Sequence, residues 1–270
     1  MVDFHYQEAG SGSENRSLPQ AVTVDAGHGV SWYGEGFALV LKQPGAWALI
    51  SLVYLLIAVA FHLVPVIGPL ILGLLAQVFI GGLFLGADAL QRGETLRVNH
   101  LFAAFSKYLG PLLVVVLLVW LTMIVLLALT AGAGFLIGAF DGIGPGQIPE
   151  HWGRLLLLCL VAFTVLSVIS MGFYFATPLI VLGGYQPMAA ITSSFNAALR
   201  NWAALLVFFL IMLAAMIVLT IIGGILFFVL AAISVLLAAV LGFLLLLTAM
   251  LLMIPWGIST LYSSYRDIFR

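Results

Sequence analysis

A few polar side chains stand inside long apolar runs of this sequence, and in hydrocarbon such groups either bind a solute or hold helices together. Gln77 falls near the middle of the run Ile67 to Ala87, and Ser170, Tyr174 and Thr177 sit in the run Leu155 to Leu182. An amide at that depth needs a partner on another helix or a trapped water, so Gln77 reads as interhelical glue, with a solute ligand as the competing role. Thr164, Ser167, Ser170, Tyr174 and Thr177 could present hydroxyls to a cavity. Ser and Thr also bond back to their own helix, and near Pro178 they can satisfy carbonyls that the proline frees, so packing is the favoured reading.

Catalytic chemistry finds little footing. No apolar run has an Asp, Glu, Lys or Arg near its centre, which argues against an ion-coupled carrier. HExxH, GxSxG and GxxxxGK[ST] patterns are missing from the sequence. His62 lies at the end of an apolar run beside Pro65 and Pro69, within reach of water, where a lone His is more often structural than catalytic. Asp88, Glu94 and His100 share one loop with Arg92 and Arg97, the pattern of a solvated charged segment. Cys159 is the only cysteine, which excludes an intramolecular disulfide and a cysteine-rich metal site. No metal, catalytic residue or cofactor is expected.

A second constellation repeats along the chain. Phe37 with Lys42, Phe102 with Lys107, and Phe195 with Arg200 each place a Phe five residues before a base, directly ahead of an apolar run. In the third copy Phe195, Ala198, Leu199 and Trp202 recur at helical spacing, opposite Ser194, Asn196, Arg200 and Asn201. The second copy is weaker, and Pro44 shortens the first. Such segments can lie in the headgroup layer with the ring inward and the base toward anionic phosphates, or simply reflect interfacial preferences. Equal spacing ahead of alternate runs points to three related hairpins.

The elements that carry these residues follow from composition. Apolar residues are 64% of the 270 and charged residues 7%, too few to build a water-soluble surface. With a net charge of −1 and no basic stripe, nucleic-acid binding is excluded. Runs at about Gly45 to Val64, Ile67 to Ala87, Leu109 to Thr130, Leu155 to Leu182, Trp202 to Phe228 and Ala232 to Leu261 are each long enough to span a bilayer. The expected fold is all-α: a polytopic transmembrane bundle of about six spans in three hairpins, with short amphipathic helices leading into them. From Trp202 to Tyr262 the sequence carries no charge, and only Gly223 and Gly224 hint at a break. Pairs spaced GxxxG, Gly82 with Gly86 and Gly134 with Gly138, would allow close helix approach.

Residues 1–30 are polar and read as a flexible cytoplasmic tail, leaving 31–270 as one membrane domain. Lys42, Arg92, Arg97, Lys107, Arg200, Arg266 and Arg270 fall on one side of the predicted spans and Arg154 on the other, which puts both termini in the cytoplasm. The outer loop from Ala131 to Arg154, with Asp141, Gly142, Gly144, Pro145, Gly146 and Pro149, reads as a turn-rich connection.

The Phe-to-base phrases, the stretch Phe195 to Trp202, and Ser31-Trp32-Tyr33-Gly34-Glu35-Gly36-Phe37 resemble a group of bacterial six-helix inner-membrane proteins. The hairpin layout is similar to the membrane domain attached to some glycerophosphodiester phosphodiesterases. That resemblance implies an inner-membrane location and carries over no catalytic residue, because the hydrolytic site of those enzymes lies in a separate soluble domain. The expected function is non-enzymatic, organising membrane lipids, other membrane proteins or further copies of the chain. The alternatives are a passive channel or carrier for a neutral or amphipathic solute and, third, a lipid-modifying enzyme using His62 or the loop Asp88 to His100.

Overall fold

A computed structural model describes residues 18–141 and 151–269. All its regular elements are helical, and the one β-bridge among the described residues joins Ala21 to Phe269. Helix α1 covers His28–Lys42, α2 Pro44–His62 and α3 Ile67–Gln91. A 3₁₀ segment, Val98–Phe102, runs into α4, Ala103–Lys107, and then into α5, Leu109–Leu136. Helices α6, Trp152–Tyr174, and α7, Ala176–Val181, form one interrupted span; α8, Pro187–Arg200, precedes α9, Trp202–Ile233, and α10, Val235–Ile268.

Six of these stretches are long and apolar enough to cross a membrane, so the chain is a multi-pass all-α membrane protein. The shortest, α2, has 19 residues, about 28 Å at 1.5 Å per residue, which matches a hydrocarbon core of about 30 Å. Helices α2 and α3, α5 and α6, and α9 and α10 pair as hairpins. Each hairpin is preceded by a short helix: α1, the 3₁₀ segment with α4, and α8.

The hairpin turn between α2 and α3 is tight. Ile67 donates its N–H to the Pro65 carbonyl across Val66, whose φ of 66° and ψ of −58° define a strained γ-turn. Only glycine fits next, because a Cβ at Gly68 would stand 1.7 Å from the Phe61 carbonyl oxygen.

Helix α3 is the hub. Half of its apolar window is buried, against 6% for α10, and it packs on α2, α5, α7, α10 and the 3₁₀ segment. Gly82 admits the carbonyls of His100 and Leu101, and Gly86 admits Leu96 and His100. This GxxxG pair therefore seats the 3₁₀ segment, not a second spanning helix. The other pair does not act as one either: Gly134 packs against Phe140 and Leu158, whereas Gly138, at φ 62°, lies beyond the end of α5.

Burial is concentrated at the end where both described termini meet. There Trp32, Trp47, Phe84, Leu101, Phe175 and Tyr262 are buried in one core. Toward the far end the helices are largely exposed, and from Met212 to Val229 every residue of α9 is exposed.

Several expectations need correction. Residues 18–30 are not a free tail: Val22 donates its N–H to the Ile268 carbonyl, Tyr185 donates its hydroxyl to the Pro19 carbonyl, and α1 begins at His28. Residues 1–17 of the expected tail, Gly142 to Glu150 of the expected loop and Arg270 lie outside the described residues. Pro44 does not shorten the first lead-in helix; α1 runs 15 residues, and Pro44 starts α2 where its missing N–H costs nothing. The last two spans divide at Ser234, whose extended backbone ends α9 and whose hydroxyl accepts from the Leu237 N–H, while Gly223 and Gly224 stay inside α9.

Candidate functional site

The intramembrane polar residues separate into different roles. Thr177 of α7 donates its hydroxyl to the Gln77 amide oxygen on α3 at 2.8 Å, so these two do come together, as an interhelical bond. Ser170 instead donates to the Ser167 carbonyl, while Thr164 and Ser167 bond back to Leu160 and Phe163. Tyr174 closes α6 in an aromatic group, 4.5 Å from the Phe175 ring centroid and 5.6 Å from that of Phe209. Its hydroxyl is buried without a partner of ordinary geometry, beside Ser264.

The break between α6 and α7 is stitched from another helix. Pro178 cannot continue the hydrogen-bond ladder, and the chain opens at Phe175. Ser194 of α8 accepts from the Phe175 N–H at 2.9 Å and donates to the Met171 carbonyl at 2.7 Å. The hydroxyls of α6 itself do not serve here, contrary to expectation.

Ser194 also reveals how α8 is oriented. Its buried face is Ala190, Ser194, Ala197 and Ala198, continued by Asn201, while Leu199 and Trp202 are exposed. The polar and apolar faces read from the periodicity are thus not the outer and inner ones. Large apolar side chains suit the lipid-facing side, and small or hydrogen-bonded polar residues suit the helix contact. Asn201 bonds the Val22 and Ala197 carbonyls through Nδ2 and accepts from the Val24 N–H through Oδ1.

The six interfacial candidates lie in the three lead-in segments, as placed by sequence, but their contacts differ. Phe37 and Phe102 are exposed, Phe102 packing edge-on to Phe79 at 6.0 Å; Phe195 is half-buried. Lys107 lies over the Tyr108 ring at 5.4 Å, and Arg200 is exposed at the end of α8. Lys42 donates to the Gln91 amide oxygen at 3.0 Å and lines a cleft of about 520 Å³ between α1, α10 and the end of α3.

Around that cleft lies a polar network of which sequence reading named only Asp88, Arg92 and Glu94, as a solvated charged segment. Tyr262 donates to Asp88 at 2.7 Å, and Asp88 and Glu94 both pair with Arg92. Asp267 takes His28 Nδ1 at 2.6 Å and the Trp32 indole N–H at 3.0 Å, tying the start of α1 to the end of α10. Tyr33 donates to the Phe208 carbonyl, and burial pushes its hydroxyl up to about 12. The one available signal was the hydroxyl-rich stretch Ser259, Thr260, Ser263 and Ser264 in an otherwise apolar run, all of it buried. Thr260 faces Gly36, whose missing side chain lets α1 and α10 approach.

His100 shares its Nδ1 with the backbone of Arg97, and among the described residues no three His, Cys, Asp or Glu side chains group as metal ligands. Fold and polar groups together define a six-span helical membrane protein with its built structure at the terminal face. No protein family, curated protein or solved structure matches the chain.

Proposed function

We propose that this chain is a non-enzymatic protein of a bacterial inner membrane that organises lipids around itself, with partner proteins or further copies as secondary occupants. The observation that carries this reading is the contrast between a stitched core at one end and hairpins whose apolar faces stay open toward the other. In hydrocarbon, open faces such as Met212 to Val229 must be covered by acyl chains or by other helices. The bases Lys42, Arg92, Arg97, Lys107, Arg200 and Arg266 belong to segments at the terminal face and Arg154 to the far one, an asymmetry that under the positive-inside rule supports cytoplasmic termini.

A passive channel or carrier would use Gln77, Ser170 and Tyr174 as one lining. Support for lipid organisation over transport comes from the commitment of Gln77 to Thr177 and of Ser170 to its own helix. The test is native mass spectrometry of the protein extracted in mild detergent: several phospholipids should persist and be lost only under delipidating conditions. A bare protein that moves a neutral solute across liposomes would replace this reading with the carrier.

A further inference from the structure

The cleft between α1, α3 and α10 has the composition and position of a ligand site. Glu35, Ala38 and Lys42 share one face of α1, at i, i+3 and i+7; Tyr262 and Arg266 share one face of α10; Gln91 closes the side. Its volume of about 520 Å³ lies within the roughly 300–1,000 Å³ of small-ligand sites.

Two bases of this cleft are unlike their neighbours. Arg92 is paired with two carboxylates, but among the described residues neither Lys42 nor Arg266 forms an ion pair. Lys42 bonds a neutral amide, and the Arg266 guanidinium lies 5.8 Å from the centre of the Tyr262 ring. A contact with a ring in place of a carboxylate leaves the guanidinium N–H donors available to an oxyanion.

Position selects the anion. Lys42 stands two residues before the start of α2, Gln91 ends α3, and Arg266 lies in the last turn of α10, so the cleft sits where three spans leave the hydrocarbon. That level of a bilayer is occupied by lipid phosphates. Two carboxylates, Glu35 and Asp267, share the lining and disfavour a headgroup carrying several phosphates.

We propose that this cleft binds the phosphodiester headgroup of a single membrane phospholipid, its phosphate held between Lys42 and Arg266. The assignment rests on the lipid-organising reading and narrows it to one site.

The test uses the full chain in detergent, titrated with phosphatidylglycerol and read by native mass spectrometry. Lys42→Gln with Arg266→Gln should weaken binding of the first lipid at least tenfold, whereas Arg97→Gln, which removes an exposed base outside the cleft, should leave it unchanged. Ala38→Trp keeps both charges but fills the cleft, and should produce the same loss; it decides the matter if the double variant does not fold. Unaltered first-lipid affinity in a folded double variant, or in Ala38→Trp, overturns the site while general lipid retention keeps the broader reading alive. A wild-type protein that retains no phospholipid removes both. Displacement of the lipid by equimolar glycerol 3-phosphate would reassign the cleft to a soluble phosphate ester and overturn its assignment to a lipid.

Discussion

Breaking the Gln77–Thr177 bond tests whether polar groups at depth hold helices or serve a solute. Thr177 is 4% exposed and donates to Gln77 at 2.8 Å across the α3–α7 contact. Hydroxyls in the middle of a helix can turn to a carbonyl four residues back, as Thr164 does toward Leu160. Thr177 is the second residue of α7, so α7 offers it no such carbonyl. Gln77→Leu therefore leaves a buried hydroxyl without a partner, and its cost should exceed the average of about 0.6 kcal/mol for membrane interhelical bonds, reaching about 1–2 kcal/mol. Thr177→Val should cost a similar amount by orphaning the amide. The double variant, having lost both partners, should be little worse than either single one, which gives a coupling of about 1 kcal/mol. Equilibrium unfolding in mixed micelles measures all four corners of this cycle. A coupling below about 0.3 kcal/mol, within the range of independent sites, would refute the role as glue. Unchanged stability with altered solute flux in liposomes would move Gln77 to a transport pathway.

Asn201→Ala should cost about 2–4 kcal/mol, because three hydrogen bonds of a residue 1% exposed are lost together, and hydrogen exchange should accelerate at Val24. Ser194→Ala orphans the Phe175 N–H and the Met171 carbonyl, so thermal unfolding should show a loss of about 2–4 kcal/mol, and a change under 0.5 would mean the break satisfies itself. In a Cys159→Ala background, cysteines at Gln20 and Asn99 should resist an impermeant thiol reagent on intact cells while one at Val64 reacts; all three positions are exposed, and the opposite pattern would invert the topology.

Spans were legible because hydrocarbon thickness forces a length and an apolarity that no other constraint imitates. Helices α2, α3, α5, α6 with α7, α9 and α10 all coincide with apolar runs, and the three Phe-to-base phrases mark the three lead-in segments. Helix faces were not legible, since amphipathic periodicity tells which residues share a side but not which solvent lies beyond it. On α8 that ambiguity exchanged the places of Leu199 and Asn201. The stripe Ala190, Ser194, Ala197, Ala198 and Asn201 carried the needed signal, once small residues are taken to mark helix contacts in lipid. The break at Ser234 was missed for a related reason: glycine attracts notice in water-soluble helices, but a lipid-facing helix tolerates Gly223 and Gly224. Bonds such as Asn201 to Val22 and Asp267 to His28 join residues far apart in sequence, and no local pattern announces them.

The two ends of the molecule solve the problem of stability by different means. At the terminal face α1 lies across α9 and α10, Gly29 against Ala204 and Gly36 against Thr260, and the segments at Ala21 and Phe269 are bridged to each other. Polar bonds there are shielded by Trp32, Phe175 and Tyr262, so each has a definite partner and geometry. Toward the far end Phe228, Leu236 and Leu136 project outward at 77%, 74% and 90% exposure, where van der Waals contact can come only from lipid or from another chain. Any occupant that covers those faces stabilises the protein in proportion to its occupancy.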